Sequence, residues 1–204
     1  MRLRRAPAWV RAAWLRRRAR AVLRQRSLPL DLCLGSGEAP LPGWVNVDLQ
    51  GPADVLLDLR FGIPLPDRSV RFIYSEHFIE HLDLEDGLRA LRECRRMLMP
   101  EGVMRIACPD LEDLARDYQS DWRRHAWVQK PEYTWVDTGA RMLNVAMRDW
   151  DHRYLYDMPE LSRRLREAGF SEIVRKAIGE SEHPRLRGLE TRPESALIVE
   201  AWGS

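Results

Sequence analysis

Several short apolar runs in this sequence end in residues suited to binding a polar ligand. These run ends carry the Gly35-Ser36-Gly37 turn, Asp48, Asp58 and Glu76. Glycines let a ligand approach the backbone closely, and carboxylates accept hydrogen bonds from ligand hydroxyls. Because the carboxyl ends of parallel strands meet at one edge of a sheet, we predict a ligand site at that edge.

The glycine turn differs from a dinucleotide-binding fingerprint. A third glycine that opens a helix is missing, and Pro40 and Pro42 follow the turn instead. Asp48 comes so soon after Gly37 that a full helix does not fit before the second strand. Since a dinucleotide depends on that helix N-terminus to bind its pyrophosphate, the pattern favours a cofactor without phosphate.

The segment from His77 to His81 has the order H-x-x-E-H, an inverted zinc-protease signature. On a helix these two histidines would share one face, as two ligands of one metal ion require. However, the segment directly follows a predicted strand, and the sequence shows no third ligand. We therefore predict no metal, a substrate-binding or proton-transfer role for His77 and a structural role for His81, with a zinc-dependent hydrolase as an alternative.

His152 is a further candidate, within an aromatic-rich segment at residues 110–157. We predict that this segment is an insertion that returns to the ligand edge as a lid and supplies substrate contacts. A histidine there is suited to act as a general base, because the ordinary pKa of imidazole lies near neutrality. The other interpretation, a solvated turn residue, stays open.

Seven strand-like segments must position these groups. They span residues 30–34, 44–49, 53–59, 70–75, 103–108, 173–177 and 196–202. A helical period between the fourth and fifth segments gives a strand, helix, strand unit, which requires a parallel crossover. The sequence thus predicts an α/β fold: a three-layer, seven-stranded, mostly parallel sheet with a shortened first helix and a basic N-terminal helix.

Capping signals mark two helices of the domain. Asp83 and Asp86 are the predicted capping box of the helix before the fifth strand, which is expected to end ahead of Pro100. Asp157 and Glu160 form a second predicted box after the insertion.

Charge is distributed unevenly along the 204 residues. The whole chain has a net charge of +2, but residues 1–26 hold ten arginines and no acid, which leaves the remainder at −8. We predict a basic amphipathic helix at 1–26 and one domain at 27–204. An acidic domain disfavours nucleic acid as a partner. Three cysteines in apolar surroundings and no long apolar run favour a reducing, cytoplasmic location.

The N-terminal helix has a narrow apolar stripe. Its members recur at helical spacing and are Ala8, Ala12, Leu15, Ala19 and Val22. Three interpretations stay open: a helix packed on the domain, peripheral contact with an anionic membrane surface or an acidic partner, and a mitochondrial transit peptide.

An ordered set of motifs carries a family resemblance. In one-letter code the set is DLCLGSG at 31–37, LPGWVNVD at 41–48, DLR at 58–60, IPLPDRSV at 63–70, IYSEH at 73–77 and RECRRMLMPEGV at 92–103. Together they resemble the class I S-adenosylmethionine-dependent methyltransferases, and most of all a compact branch of them. The end of the helix at residues 161–170 supports this resemblance.

The resemblance implies S-adenosyl-L-methionine as the cofactor and assigns residues to it. Those residues are Gly35, Ser36, Gly37, Asp48, Asp58, Leu59, Ser75 and Glu76. The glycine turn would border the methionine and ribose, and Asp48 would accept hydrogen bonds from both ribose hydroxyls. Asp58 and Leu59 would flank the adenine, while Ser75 and Glu76 would lie beside the sulfonium and amino-acid end.

We therefore predict a methyltransferase that acts on an oxygen or nitrogen nucleophile of a small metabolite, with His152 and His77 as catalytic candidates. A protein of the same fold that binds the cofactor without catalysis is the first alternative.

Overall fold

A computed structural model describes residues 7–203, so the first six residues of the predicted N-terminal segment and Ser204 lie outside the described part of the chain. Seven strands form one sheet: β1 Leu30–Leu34, β2 Val45–Asp48, β3 Val55–Leu56, β4 Val70–Glu76, β5 Leu98–Cys108, β6 Glu172–Lys176 and β7 Leu197–Trp202. Their spatial order is β3-β2-β1-β4-β5-β7-β6. The first five strands pair in parallel and β7 is antiparallel to both neighbours, which confirms the predicted fold class.

The strand order reverses between β1 and β4. From β1 the chain continues outward to β2 and β3, whereas β4 lies on the other side of β1 and leads to β5. Leu34 pairs with both Val47 and Ser75, so the carboxyl ends of these three strands are level. A reversal of this kind opens a crevice at the carboxyl ends of a parallel sheet, where ligands bind.

Two strands differ from their predicted lengths. β3 is only two residues long, because the Asp58 side chain accepts a hydrogen bond from the Arg60 amide and starts the 3-10 helix Leu59–Phe61. β5 begins at Leu98, directly after a helix, so Pro100 lies inside the strand and does not precede it. A register shift after Val70 accommodates the extra residues of β5.

Three helices pack on one face of the sheet: α1 Ala8–Leu23, α2 Leu84–Met97 and α5 Met158–Glu167. The Asp157 side chain caps α5 by accepting from the Glu160 amide, as predicted. The Asp83 capping box is wrong: the Asp83 side chain makes no capping hydrogen bond and lies 3.4 Å from Arg153.

The opposite face has a different cover. Cys33, Tyr74 and Val103 form an apolar cluster there with Trp44 and Leu186. Leu186 belongs to a short 3-10 helix, Pro184–Leu186, in the long connection between β6 and β7. The three layers are therefore unequal, because a connection covers this face where helices cover the other one.

The predicted insertion at residues 110–157 forms a helical unit with its own core. It contains α3 Leu111–Gln119, the 3-10 helices Trp122–Arg124 and Pro131–Tyr133, and α4 Gly139–Asn144 followed by the π-helix Val145–Asp149. Trp127 is buried at its centre, with ring centroids 4.7 Å from those of Tyr133 and Trp150. The Leu111 amide donates to the Tyr156 carbonyl, so the two ends of the insertion are joined beside β5.

The helix α1 packs against the domain. Ala12, Leu15 and Ala19 of the predicted stripe are buried, but Val22 is 36% exposed and Leu23 takes its place in the core. Arg16 also donates to the Phe61 carbonyl. Among the described residues, no helix is both long and apolar enough to cross a membrane.

Leu23→Ala should lower the free energy of unfolding by about 2 to 4 kcal/mol, because it removes a buried side chain from the main core. Urea denaturation measures this effect. Val22→Ala is the matched control on the neighbouring, partly exposed residue and should cost less than about 1 kcal/mol. Equal effects would show that α1 does not pack through Leu23.

Candidate functional site

A cleft of about 1140 Å³ lies at the carboxyl ends of the central strands. One half is bordered by the turn after β1, the end of β2 and the 3-10 helix Leu59–Phe61. The other half is bordered by the end of β4 and by residues of the insertion. The cleft thus has a half built from strand ends and a half built largely from a separate helical unit.

The glycine turn requires glycine at its first position. Gly35 has φ +69°, and a Cβ added there would lie 2.8 Å from the Cβ of Phe78. Gly37 also has a positive φ, of 53°. The missing Cβ at Gly35 makes room for Phe78, whereas nothing lies within 4 Å of the missing Cβ at Gly37. The backbone of the turn is therefore open at Gly37, which suits the close approach of a ligand.

Asp48 is oriented by two backbone amides. Its Oδ2 accepts from the Gly37 amide at 2.9 Å, and its Oδ1 accepts from the Gln50 amide at 3.0 Å. A carboxylate has about four acceptor positions, so each oxygen keeps one for a ligand. Asp48 borders the cleft and is partly exposed, so these positions are accessible to a diol.

Asp58 and Leu59 border the same half of the cleft. Asp58 accepts two hydrogen bonds from the guanidinium of Arg60, at 2.9 and 2.8 Å. The sequence did not predict this neighbouring ion pair, which fixes the carboxylate at the start of the 3-10 helix.

Ser75 and Glu76 lie at the end of β4, and Glu76 has a contact that the sequence did not reveal. Its carboxylate accepts hydrogen bonds from both the amide and the hydroxyl of Thr191, from the Arg192 amide and from the Ser195 hydroxyl. These donors belong to the connection that precedes β7. Glu76 therefore holds that connection against the end of β4, while the Ser75 hydroxyl is buried without a partner among the described residues.

The predicted histidines meet in the second half of the cleft, although they are far apart in sequence. The Nδ1 atom of His77 lies 2.9 Å from Oε1 of Glu80, and Nε2 of His152 lies 3.9 Å from the same oxygen. His152 is buried, so the interpretation as a solvated turn residue is wrong. Glu80 is also buried, and sequence reasoning did not single it out as a site residue.

The H-x-x-E-H segment is not one helix. His77 has φ +49°, and only residues Ile79–His81 form a short 3-10 helix. Nδ1 of His81 lies 3.2 Å from the Asp151 carbonyl, and its ring contacts the ring of His152 edge-on. The helix on which His77 and His81 would share one face, as the zinc-hydrolase alternative requires, is therefore absent from this segment.

The protonation of His152 follows from its contacts. Its Nδ1 lies 2.6 Å from the Ala146 carbonyl, which can only accept, so the proton is on Nδ1 and Nε2 carries a lone pair. Burial lowers the pKa of His152 below its ordinary value of 6.5, although the Glu80 carboxylate acts in the opposite direction. His152 is thus a neutral base at neutral pH.

Glu194 and Lys130 also lie near this half of the cleft. Burial acts to raise the pKa of Glu194, but the hydrogen bond from Lys130 and the positive charge of Lys130 outweigh it and hold that pKa below its usual value. The Lys130 ammonium lies 2.8 Å from Glu194 and links the insertion to the connection before β7.

The chain is similar to methyltransferases in sequence and in structure. The family described as a methyltransferase domain matches residues 47–106. A possible histamine N-methyltransferase from Thermotoga maritima is 19% identical, with 98% of this chain and 97% of that chain covered and a TM-score of 0.53. A methyltransferase from Archaeoglobus fulgidus is 15% identical, with coverage of 91% and 92% and a TM-score of 0.52.

The chain has the class I methyltransferase fold. The predicted resemblance is confirmed by the family match and by this fold. S-adenosylmethionine, the predicted cofactor, is the methyl donor of this superfamily. No curated protein sequence matches the chain significantly.

Glu76→Ala should release the connection before β7, because it removes the acceptor of the Thr191 and Arg192 amides. Hydrogen exchange of these two amides should become faster than in the wild type. Glu182→Ala is the control, since Glu182 is an exposed carboxylate of the same connection that contacts Lys176. Unchanged exchange in Glu76→Ala would show that other contacts hold the connection.

Proposed function

We propose that the protein transfers the methyl group of S-adenosylmethionine to an oxygen or nitrogen nucleophile of a small metabolite. The observation that supports this most directly is that one cleft contains the glycine turn with Asp48 at one end and two histidines, the partly buried His77 and the buried His152, at the other. Methyl transfer needs a binding site for the methyl donor next to a binding site for the acceptor, and the two ends of this cleft can serve as these sites. The sulfonium of the donor supplies an activated methyl group.

The first half of the cleft fits the cofactor. The turn at Gly35, Ser36 and Gly37, whose backbone is open at Gly37, borders the methionine and ribose, and the two free acceptor positions of Asp48 match a vicinal diol. Asp58 and Leu59 flank the adenine. These assignments remain predictions, as do the positions of Ser75 and Glu76 beside the sulfonium.

Glu76 acts on the cofactor through its charge and through the segment that it holds. Its oxygens bind the connection at residues 191–195, and Thr191 and Arg192 border the cleft. The carboxylate therefore provides a negative charge close to the positive sulfonium and keeps one wall of the cleft in place.

The second half of the cleft binds the acceptor. Tyr133 and Trp150 of the insertion form an aromatic wall there, beside His77 and His152. The wall suits a flat or apolar body, and the imidazoles suit a polar atom that loses a proton on methylation. The protein contributes alignment, exclusion of water and a base, and we assign the base to His152 with His77 as second candidate.

The outer face of α1 is the surface that would meet an anionic membrane or an acidic partner. Trp9 is 67% exposed and lies on a helix rich in arginine, while the apolar stripe of the helix faces the domain. Contact with an anionic membrane or an acidic partner stays a prediction. The cytoplasmic location and the absence of a nucleic-acid partner also stay predictions.

Asp48→Ala should weaken S-adenosylhomocysteine binding roughly ten- to a hundredfold, because the ribose hydroxyls lose a charged acceptor worth about 1.5 to 3 kcal/mol. Calorimetry measures the affinity, and circular dichroism confirms that the variant is folded. Asp137→Ala is the control: Asp137 is exposed, pairs with Arg141 and lies outside the cleft. An unchanged affinity in Asp48→Ala would refute the assignment.

His152→Ala should lower the rate of methyl transfer by roughly 10² to 10⁴ and leave S-adenosylhomocysteine affinity nearly unchanged. Because burial lowers the pKa of His152, the acidic limb of the wild-type pH–rate profile should lie below pH 6.5 and disappear in the variant. The assay follows S-adenosylhomocysteine formation with an acceptor found by screening phenols, catechols and amines. His125→Ala, outside the cleft and paired with Asp117, should behave as wild type.

A further inference from the structure

The Glu80 carboxylate is fully buried and poorly compensated. Its residue is 0% exposed, and neither side-chain oxygen accepts a hydrogen bond from any described residue. The backbone carbonyl of Glu80 accepts from the amides of Arg153 and Tyr154, so the chain is held firmly in this position. A buried carboxylate without donors is costly, and proteins compensate such a group with a positive charge or a metal ion.

Two imidazole nitrogens face this carboxylate. The closest contact joins Nδ1 of His77 and Oε1 of Glu80 at 2.9 Å, although no hydrogen bond forms between them. Nε2 of His152 lies 3.9 Å from the same oxygen, and the three ligand atoms all lie within 4.8 Å of one another. Atoms that bind one ion at 2.0–2.2 Å are themselves about 3 to 3.5 Å apart, so small movements would bring all three to one ion.

His152 is prepared for a metal ion by its second nitrogen. Nδ1–H donates to the Ala146 carbonyl, which fixes the ring and leaves the lone pair of Nε2 directed toward Glu80. Histidine ligands of metals characteristically make such a hydrogen bond through the other nitrogen.

His77 also has an uncommon backbone conformation, which Arg68 and Asp151 share among the described non-glycine residues. It is a non-glycine residue with φ +49°, a strained conformation that occurs preferentially at ligand-binding and catalytic sites. This conformation turns the chain directly after β4 and brings the ring back over Glu80.

From these contacts we infer that His77, Glu80 and His152 bind a divalent transition-metal ion at the acceptor end of the cleft. Two imidazoles and one carboxylate suit Zn²⁺, Mn²⁺ or Fe²⁺, whereas Mg²⁺ and Ca²⁺ prefer oxygen ligands alone. Three protein ligands leave coordination positions open. His77 and His152 border the cleft, so these positions face the acceptor half.

The open positions indicate a class of acceptor, and this step alone rests on the proposed methyl transfer. A hydroxyl oxygen of a phenol or catechol would bind the ion as its anion and release its proton to solvent water, as zinc-bound water does. The anion would then take the methyl group and leave neutral S-adenosylhomocysteine. In the metal-free protein Nε2 of His152 is free to act as the base. With the ion bound, its lone pair serves as a ligand and does not take a proton. The ion then replaces His152 as the group that favours the deprotonated acceptor.

Calorimetry of the metal-stripped full-length protein with Zn²⁺ tests the site directly. The wild type should bind one equivalent, and Glu80→Gln and His152→Asn should each weaken binding at least about 100-fold, since each removes one of three ligands. His125→Asn is the matched control, because it removes an imidazole that pairs with Asp117 outside the cleft. It should bind Zn²⁺ as the wild type does.

His81→Asn distinguishes the spatial triad from the H-x-x-E-H pairing and should retain Zn²⁺ affinity. A loss as large as that of His152→Asn would overturn the triad. Absence of Zn²⁺ binding by the wild type, or unchanged binding by Glu80→Gln, would overturn the metal site. If either ligand variant is unfolded, the absorption spectrum of the wild type loaded with Co²⁺ is the test. The proposal requires the d–d bands of a bound Co²⁺ ion, and their absence would refute the metal site.

S-adenosylhomocysteine affinity is measured on the same samples to separate the two proposals. Wild type that binds S-adenosylhomocysteine but no Zn²⁺ would refute the metal site and leave the proposed function standing. Wild type that binds Zn²⁺ but no S-adenosylhomocysteine would refute the proposed function and leave the metal site standing.

Discussion

Two carboxylates, Glu76 at the end of β4 and Glu80 just after it, require partners for their negative charge, and the segments that approach them form much of the cleft. The Glu76 carboxylate accepts hydrogen bonds from four donor groups in residues 191–195, which are more than a hundred residues away in sequence. Glu80 meets His77 locally and His152 from the insertion. Glu76 thus fixes the distant connection before β7. Glu80 is fully buried without a hydrogen-bond donor among the described residues, and a buried charge without a partner costs several kcal/mol.

The same constraint operates one strand further along the sheet. Arg105 of β5 is fully buried, bonds to Glu200 of β7 at 2.7 Å and Glu190 at 2.5 Å, and also donates to the Glu180 carbonyl. Glu190 and Glu180 belong to the connection between β6 and β7, which covers this sheet face. Removal of Arg105 would leave the buried carboxylates of Glu190 and Glu200 without this positively charged partner, so the network fixes a cover that has little regular structure of its own.

The two halves of the cleft are built differently, and this has a consequence for function. Strand ends and short turns form the cofactor half, so its geometry is set by the sheet itself. A helical unit with a separate core around Trp127 supplies Tyr133, Trp150 and His152 to the acceptor half. Since that core is independent of the main one, substitutions in the insertion can alter the acceptor site with little effect on the sheet.

Local patterns in the sequence determined the sheet, the glycine turn and Asp48, because strand periodicity, glycine and strand-end carboxylates act through neighbouring residues. They also brought His77 and His152 forward as candidates, since imidazole chemistry depends on residue type. Only the tertiary structure decided that Glu80 lies between these histidines, because a fully buried carboxylate in a short 3-10 helix leaves no periodic signal. The partners of Glu76 likewise depend on how the chain returns to the end of β4, which spacing along the sequence does not encode.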